Sequence, residues 1–353
     1  MNQQNTAATA EPTISELRKS LGDLFAPQPV LYWVDFLASA SLGWAGYGYA
    51  LQLSMGSGLW MMVTLVSALA LYRAVIFTHE LTHLRPKAIP GFSLVWNALC
   101  GIPLMVPSFM YRRVHMAHHV KTKYGTKEDG EYLAFANKHP AQILIYLLSS
   151  FLLPPLAATR FIVLAPLSLV IPSLRRWLAA HGSSLSIDPG YIRPIAGADE
   201  LLSWRVQEAA ASVLGMAVIG ALVFDLLPMA VLFQWYLISV LILTMNALRT
   251  LGAHHYRNAN GKMSFVQQIQ DSVNVTGQPL LMILLAPLGM RYHALHHLFP
   301  TLPYHALGKS HRHLMKALPE GSWYAQVNCH SLWQPLLQLW REARHHQSQK
   351  ARV

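Results

Sequence analysis

Four long apolar stretches limit what this chain can fold into. A helix needs roughly 20 apolar residues to cross the hydrocarbon core of a bilayer. Four segments have about that length and at most one charged residue each: residues 31–54, 58–78, 206–224 and 227–246. Only a few residues separate the members of each pair, so each pair predicts a tight transmembrane hairpin. A charged fraction of 12% beside a hydrophobic fraction of 53% fits a membrane protein and excludes a disordered chain.

The distribution of charge predicts the orientation. The net charge is +11, yet neither hairpin tip contains a Lys or Arg. The positive-inside rule then places both termini and the long polar segments in the cytoplasm. Membrane orientation and anionic headgroups account for the positive charge, and a basic face for an acidic partner protein is compatible with them. No nucleic-acid partner is needed to explain the charge.

Three further apolar stretches are predicted to be interfacial or re-entrant. Residues 92–110 and 142–171 contain prolines, which disfavour a regular helix, and residues 279–290 are too few to cross. We expect a cytoplasmic segment 1–30, a membrane domain 31–315 and a cytoplasmic tail 316–353. Two cysteines exclude a disulfide scaffold and a cysteine-ligated cluster. The start of the chain lacks the features of a cleaved signal peptide, which predicts a bacterial inner-membrane protein.

Histidine is the second unusual feature, with 18 residues in the chain. Eight of them form three short motifs: His79-Glu-Leu-Thr-His83, His115-Met-Ala-His118-His119 and His293-Ala-Leu-His296-His297. On a helix, positions i, i+3 and i+4 share one face, so each motif directs its imidazoles one way. The HxxHH pattern is expected about 0.05 times by chance at this composition, and it occurs twice. The motifs therefore predict a shared metal site at the cytoplasmic ends of the apolar segments.

A fourth element follows the last apolar stretch and contains His254 and His255. Either could be a ninth ligand, and His254 is the better candidate. Eight or nine neutral imidazoles suit two metal ions of intermediate softness, because one zinc needs only about four ligands. Open, nitrogen-rich sites for oxygen chemistry favour iron over zinc, copper and nickel. We expect the remaining histidines to lie at the surface or the membrane interface.

The three motifs resemble the histidine boxes of the integral-membrane fatty acid desaturase and hydroxylase superfamily. The segment from Arg291 to Tyr304, with Phe299-Pro300 after the third box, is especially similar to acyl desaturases. The resemblance covers about residues 31–315. It implies an all-α membrane protein with four transmembrane helices in two hairpins, interfacial helices and a cytoplasmic, histidine-rich di-iron cap.

The resemblance also implies ligands, cofactors and a reaction. Two iron ions would be held by His79, His83, His115, His118, His119, His254, His293, His296 and His297. With molecular oxygen and two electrons, the enzyme would introduce a double bond into a fatty acyl lipid drawn from the membrane. The chain has no fused redox domain, so a separate ferredoxin, or a cytochrome with its reductase, would supply the electrons. Candidates for orienting the imidazoles are Asp129, Glu131, Asn246, Asp271 and Asn274.

Three alternatives remain open. A lipid or alkane hydroxylase or ketolase would share the fold and the metals. His79-Glu80-Leu-Thr-His83 also matches the H-E-x-x-H motif of zinc proteases, in which Glu80 would be the general base. That reading leaves six histidines without a task. A metal transporter is less consistent with the motifs, because transporter sites usually lie near the bilayer midplane.

The lone charges Asp35 and Arg73 are expected near span ends, with Arg73 extending to the interface.

Overall fold

A computed structural model describes residues 12–85, 87–194, 197–259 and 261–350. The α-helices are α1 Ile14–Leu21, α2 Pro29–Ala50, α3 Gly58–His83, α4 Phe92–Trp96, α5 Phe109–His118, α6 Ala141–Thr159, α7 Ala165–Leu167, α8 Pro172–His181, α9 Ala198–Val223, α10 Ala230–Leu251, α11 Phe265–Asp271, α12 Pro279–Leu285, α13 His293–Leu298, α14 Tyr304–Ala317 and α15 Trp333–Lys350. Short 3-10 turns cover Gly22–Phe25, Phe135–Asn137 and Ala325–Val327, and π-helical turns cover Asn97–Gly101 and Arg160–Leu164. Strands β1 Asn274–Val275 and β2 Asn328–Cys329 pair in parallel.

The apolar segments form long helices, as predicted for an all-α membrane protein. Within the described residues, four helical segments are long and apolar enough to cross a membrane: Gly58–His83, Ala141–Leu167, Glu200–Val223 and Ala230–Leu251. The predicted first span forms α2, whose 22 residues extend about 33 Å and pack along α3. Its Tyr, Trp, Gly and Ser residues make it less apolar than these four. The predicted hairpins α2–α3 and α9–α10 are therefore both helical.

The prolines of residues 142–171 were expected to disfavour a regular helix. That expectation is wrong for residues 141–167, which form one helical segment. Helix α6 contains Pro154 and Pro155 and continues through the π-helical turn into α7. Proline frees backbone carbonyls, and apolar helices tolerate this where a nearby hydroxyl or a π turn satisfies them. Pro155 has no N–H to donate to the Phe151 carbonyl, and the Tyr236 hydroxyl of α10 donates to that carbonyl at 3.1 Å instead. A hydrogen bond from a neighbouring helix thus satisfies a backbone group that the prolines free.

The chain on both sides of α6 and α7 nevertheless returns to one region. Ala136, before α6, donates its N–H to the Tyr256 carbonyl at 3.2 Å, and Tyr256 follows the histidines at 254–255. Ile187, after α8, donates its N–H to the Gly130 carbonyl at 2.7 Å, next to Asp129 and Glu131. The segment therefore starts and ends at the histidine-bearing face. The interfacial or re-entrant position expected for residues 142–171 in a bilayer remains a prediction.

Residues 92–110 extend away from the histidine-bearing end of the helices and return to it, as a re-entrant element would. The Trp96 indole N–H donates to the Ala74 carbonyl at 2.9 Å, which joins α4 to α3. The Trp235 indole N–H donates to the Pro103 carbonyl at 2.9 Å, and Trp235 lies near the start of α10, far from its histidine-bearing end. From this depth the chain returns to α5. The turn holds because Asn97 bonds both the Ser108 hydroxyl and its N–H at 2.9 Å.

Asp35 and Arg73 form an ion pair between α2 and α3. Arg73 Nε and Nη2 donate to the two Asp35 oxygens at 2.7 and 2.6 Å, and the Tyr304 hydroxyl donates to Asp35 Oδ2 at 3.0 Å. The expectation that Arg73 extends alone to the interface is therefore corrected. A partner 38 residues away in the chain neutralises it and fixes the hairpin to α14.

The C-terminal segment packs against the rest of the chain. Leu339 and Ala343 of α15 are buried in a cluster with Phe135 and Tyr256, and β2 pairs with β1. These contacts place residues 328–350 beside the loop that follows α10. The domain boundaries expected from the sequence remain a prediction.

Candidate metal centre

Three helices and one loop present histidine side chains to a common space. Helix α3 ends with His79 and His83, α5 contributes the second motif, and α13 contains the third. Each motif is helical, so the i, i+3 and i+4 spacing places its imidazoles on one face. His254 lies just after α10, where an isolated antiparallel bridge pairs it with Ser272. The four pieces meet at one end of the apolar helices.

One set of side chains, which we name the first histidine group, consists of His79, His83, His115 and His296. One ring nitrogen from each lies within 4.8 Å of the others. The Nε2 atoms of His115 and His83 are 2.9 Å apart. His79, His115 and His296 are buried, and His83 is partly exposed. Residues from α3, α5 and α13, far apart in sequence, therefore meet at one point.

The second histidine group consists of His118, His254, His293 and His297, and all four are buried. The Nε2 atom of His254 lies 2.8 Å from that of His293 and 3.3 Å from that of His118. The Nε2 atoms of His297 and His293 are 3.1 Å apart. Each of α5 and α13 thus contributes to both groups, which places the two groups side by side.

His119 lies between the groups, and His255 lies outside them. The Nε2 atom of His119 is 3.2 Å from that of His115 and 3.0 Å from that of His296. His255 instead lines a cleft of about 270 Å³ beside β2 and α15. Of the two neighbouring histidines after α10, the structure therefore brings His254 into the cluster, together with the eight residues of the three motifs.

The arrangement of nitrogens fits metal coordination. Imidazole nitrogens bound at about 2.1 Å and at right angles are about 3.0 Å apart. The facing Nε2 pairs have separations from 2.8 to 3.3 Å. Both ring nitrogens of His79 and Nδ1 of His293 are buried without a hydrogen-bond partner among the described residues. A buried polar atom without a partner is costly, and a metal ion removes that cost for a ligating nitrogen.

Burial keeps most of these imidazoles neutral, which is the form that binds a metal. Burial lowers the pKa of His115, and the neighbouring imidazoles lower it further. The pKa of His297 is lowered well below its usual value for the same reasons. His118 differs: burial opposes its charge, but the Asp129 carboxylate outweighs that effect and raises its pKa. Each group therefore offers mainly neutral donor nitrogens.

Carboxylates orient two of the imidazoles. Asp129 is fully buried and lies 2.9 Å from Nδ1 of His118, while its oxygens also accept the N–H groups of Gly125 and Glu131. Glu131 lies 2.7 Å from Nδ1 of His115. In both residues the other ring nitrogen, Nε2, faces the cluster. Such partners fix the tautomer and the direction of a ligating imidazole.

The other three predicted partners lie elsewhere. Asp271 is 3.9 Å from Nδ1 of His254 and accepts a hydrogen bond from the Tyr124 hydroxyl, which is itself 2.9 Å from that Nδ1. Asn274 accepts the N–H of Leu295 and so anchors α13. The Asn246 side chain accepts a hydrogen bond from Arg249 at 2.9 Å rather than contacting an imidazole. Asp271 and Asn274 thus act on the cluster indirectly.

Comparison with known proteins identifies the family. A family model described as fatty acid desaturase matches residues 58–328, which include all nine clustered histidines. The chain belongs to the fatty acid desaturase family. A relative, the ceramide hydroxylase of Caulobacter vibrioides (strain NA1000 / CB15N), is 40% identical over 325 residues, which cover 91% of each chain. The resemblance drawn from the histidine boxes is confirmed, and the chain is a membrane oxidoreductase of lipid metabolism.

Glu80 does not have the position of a protease base. Its carboxylate accepts hydrogen bonds from the Tyr32 hydroxyl and from the N–H of Tyr304 at 3.1 Å. It lies 3.8 Å from Nδ1 of the adjacent His79. Membership of the desaturase family gives all three histidine boxes a role, whereas the zinc-protease reading leaves two of them without one. Glu80 therefore ties α3 to α2 and α14.

Sequence reasoning missed several polar groups around the desaturase-family cluster. The Tyr111 hydroxyl lies 3.0 Å from Nδ1 of His115, and the Ser272 hydroxyl lies 3.2 Å from Nδ1 of His254. Tyr111 precedes His115 by one helical turn, so the i, i+4 spacing was an available signal. No sequence spacing connects Tyr124 to His254. His311 was expected at the surface but is buried against the Tyr324 hydroxyl at 2.9 Å.

Proposed function

We propose that this protein is an oxygen-dependent di-iron hydroxylase that acts on ceramide or a closely related lipid. The observation that carries the proposal is the pair of four-histidine groups, each with facing Nε2 atoms, in a chain that is 40% identical to a ceramide hydroxylase over 91% of its length. Nine imidazoles without a thiolate ligand suit iron in an open, nitrogen-rich site. The proposed ligands are the members of the two groups and His119.

The proposed iron ions would supply the oxidising power for attack on an unactivated C–H bond when bound. The protein's own residues would hold these ions and orient the imidazoles that bind them. Asp129 and Glu131 fix the directions of His118 and His115 through Nδ1. Burial of the two groups excludes bulk water from the site.

The overall reaction would consume one O₂, two electrons and two protons for each lipid. The products would be one alcohol and one water. We propose that a separate protein, of the ferredoxin type or a cytochrome with its reductase, supplies the electrons. We place the enzyme in a bacterial inner membrane with the histidine face toward the cytoplasm, where such donors are found. The basic segments support that orientation.

Fatty acyl desaturation is the second candidate. The description of the family model and the Phe299-Pro300 pair after the third box favour it. The two reactions share metals, oxygen and electron supply. They differ in whether the substrate carbon gains oxygen or a second hydrogen is removed. The activity named for the relative, hydroxylation, is our reason for placing the hydroxylase first.

Lipid analysis of cells tests the proposal. Wild type and His296→Ala are expressed in a host that contains ceramide, together with a ferredoxin and its reductase, and total lipids are resolved by mass. We expect a ceramide product that gains one oxygen in the wild type only. A wild-type product that lacks two hydrogens would instead establish desaturation. Unchanged ceramide together with unchanged acyl chains, in cells whose purified protein contains iron, would contradict both candidates.

A further inference from the structure

Arg249 is a cation beside the metal centre with little to balance it. It lies in the last turn of α10, five residues before His254. Its Nη2 donates to Asn246 Oδ1 at 2.9 Å, and its Nε is buried without a partner. Among the side chains that the structure describes, no carboxylate oxygen lies within 4.0 Å of its guanidinium. The buried Arg160, by contrast, forms an ion pair with the Glu208 carboxylate at 2.6 Å.

The surroundings place the Arg249 guanidinium at the first histidine group. Its charge acts on the hydroxyls of Tyr72, Tyr111 and Tyr146, which come from α3, α5 and α6, and on the Glu131 carboxylate, which lies beyond ion-pair distance. Tyr111 contacts His115 directly. Burial lowers the pKa of His293, and the charges of His254 and Arg249 lower it further. The guanidinium therefore lies where the apolar helices meet the histidine face.

A hydrocarbon chain alone gives no reason for a cation here. Burying a charge without a partner is costly, and a bound metal pair makes another cation more costly. The dipole at the C-terminal end of α10 offsets part of that cost, by less than a close carboxylate would. A guanidinium has five N–H donors: Nη2 donates to Asn246, the Tyr72 hydroxyl lies within reach of the guanidinium, and Nε has no partner among the described residues. The remaining donors suit a ligand that brings its own oxygen atoms.

We propose that Arg249 binds an oxygen of the polar head of the substrate lipid and so holds a carbon near that head against the metal centre. This inference rests on the proposed function, because ceramide provides an amide carbonyl and hydroxyl groups as acceptors. Arg249 is then the residue that selects lipids with oxygen close to the reacting carbon. Asn246, which accepts from Nη2, fixes the direction of the guanidinium.

A substrate series tests the assignment. The proteins are wild type, Arg249→Met, Arg249→Lys and the control Arg176→Met, which changes an exposed arginine on α8. The lipids are ceramide and three analogues of equal chain length that lack the 1-hydroxyl, the 3-hydroxyl or the amide carbonyl. For each pair we measure KM and kcat with a reduced donor, and binding by displacement of a fluorescent ceramide in detergent. Iron content and the thermal unfolding temperature show that each variant is folded and loaded.

We expect wild type to bind one analogue more weakly than ceramide by on the order of 10- to 100-fold, the range for a hydrogen bond to a charged group. The analogue that loses affinity identifies the oxygen. Arg249→Met should bind that analogue and ceramide equally, with unchanged iron, and Arg249→Lys should keep part of the preference. Arg176→Met should behave as wild type.

Two results would overturn the assignment. One is an Arg249→Met protein that keeps the wild-type preference while kcat falls equally for every lipid, which would make Arg249 a structural or charge-balancing residue. The other is a wild type that binds ceramide and all analogues equally. If Arg249→Met does not fold, the substrate preference of Arg249→Lys decides between head binding and a structural role. Head-dependent ceramide binding that requires Arg249, without turnover, would sustain the assignment and contradict the proposed hydroxylase.

Discussion

The two histidine groups differ in how the protein holds them. In the second group, Asp129 contacts His118, and both Tyr124 and Ser272 contact His254. In the first group, Glu131 and Tyr111 contact His115. Two of its four residues come from the end of the apolar helix α3, and His79 has no hydrogen bond at either ring nitrogen among the described residues. The second group is therefore preorganised by the polypeptide, whereas the first depends more on helix packing and on the metal itself.

This difference suggests that the two positions bind metal unequally. Preorganised ligands lose less conformational entropy on binding, and oriented imidazoles are better donors. We expect the ion of the second group to be the harder one to remove by a chelator. The ion of the first group should be the more labile.

The largest expected effect comes from removing one ligand from each group. His118→Ala should lose the ion of the second group, and His296→Ala that of the first. Each should lower the oxidation rate by more than about 100-fold, because ligand loss exceeds the effect of losing an orienting partner. Metal analysis and turnover of the purified variants check this. Full activity in either variant would contradict a shared two-metal site.

Replacing the orienting carboxylates should have a smaller and unequal effect. Asp129→Asn should weaken metal binding by about 10- to 100-fold, because His118 loses its only carboxylate contact among the described residues. Glu131→Gln should weaken it less, since the Tyr111 hydroxyl also contacts Nδ1 of His115. Chelator titration of both variants measures the difference. Equal metal affinities of the two variants, or a larger loss of affinity in Glu131→Gln, would contradict the conclusion that the polypeptide preorganises the second group more than the first.

The smallest effect is expected at Glu80, which follows the proposed ligand His79 and accepts hydrogen bonds from α2 and α14. Glu80→Gln keeps an acceptor for the Tyr32 hydroxyl and the Tyr304 N–H. We expect the iron content to be unchanged and the oxidation rate to stay within about threefold of wild type, with a cost to stability of about 1 kcal/mol. Thermal unfolding and turnover test this. Loss of turnover with intact iron and unchanged stability would give Glu80 a chemical role.

Local spacing made the histidine boxes predictable. The i, i+3 and i+4 positions of α5 and α13 share a face whatever the rest of the chain does. The requirement that all boxes reach one side of the membrane also predicted that residues 92–110 return, because a single crossing would separate His83 from His115. The confirmed family followed from the same motifs.

Contacts between distant residues were not predictable from one sequence. The pair Asp35–Arg73 depends on how α2 packs against α3, and the approach of Tyr124 to His254 joins residues 130 positions apart. The helix through Pro154 and Pro155 was missed because proline weighs against helix in water, while an apolar surrounding favours every internal hydrogen bond that remains. The distance of Arg249 from the carboxylates of the described residues is a property of the packed structure.

The distribution of the cluster along the chain also sets an order in time. Helix α3 brings His79 and His83 to the membrane early in synthesis, while His293, His296 and His297 are made more than half a chain later. At 5–20 residues per second, roughly 10–40 s pass between the two events. Throughout that interval the early histidines lack the partners with which they form a binding site. The proposed metal site is therefore complete only after His297 has been made, so on that proposal the metal joins the chain after helix α10 has been synthesised.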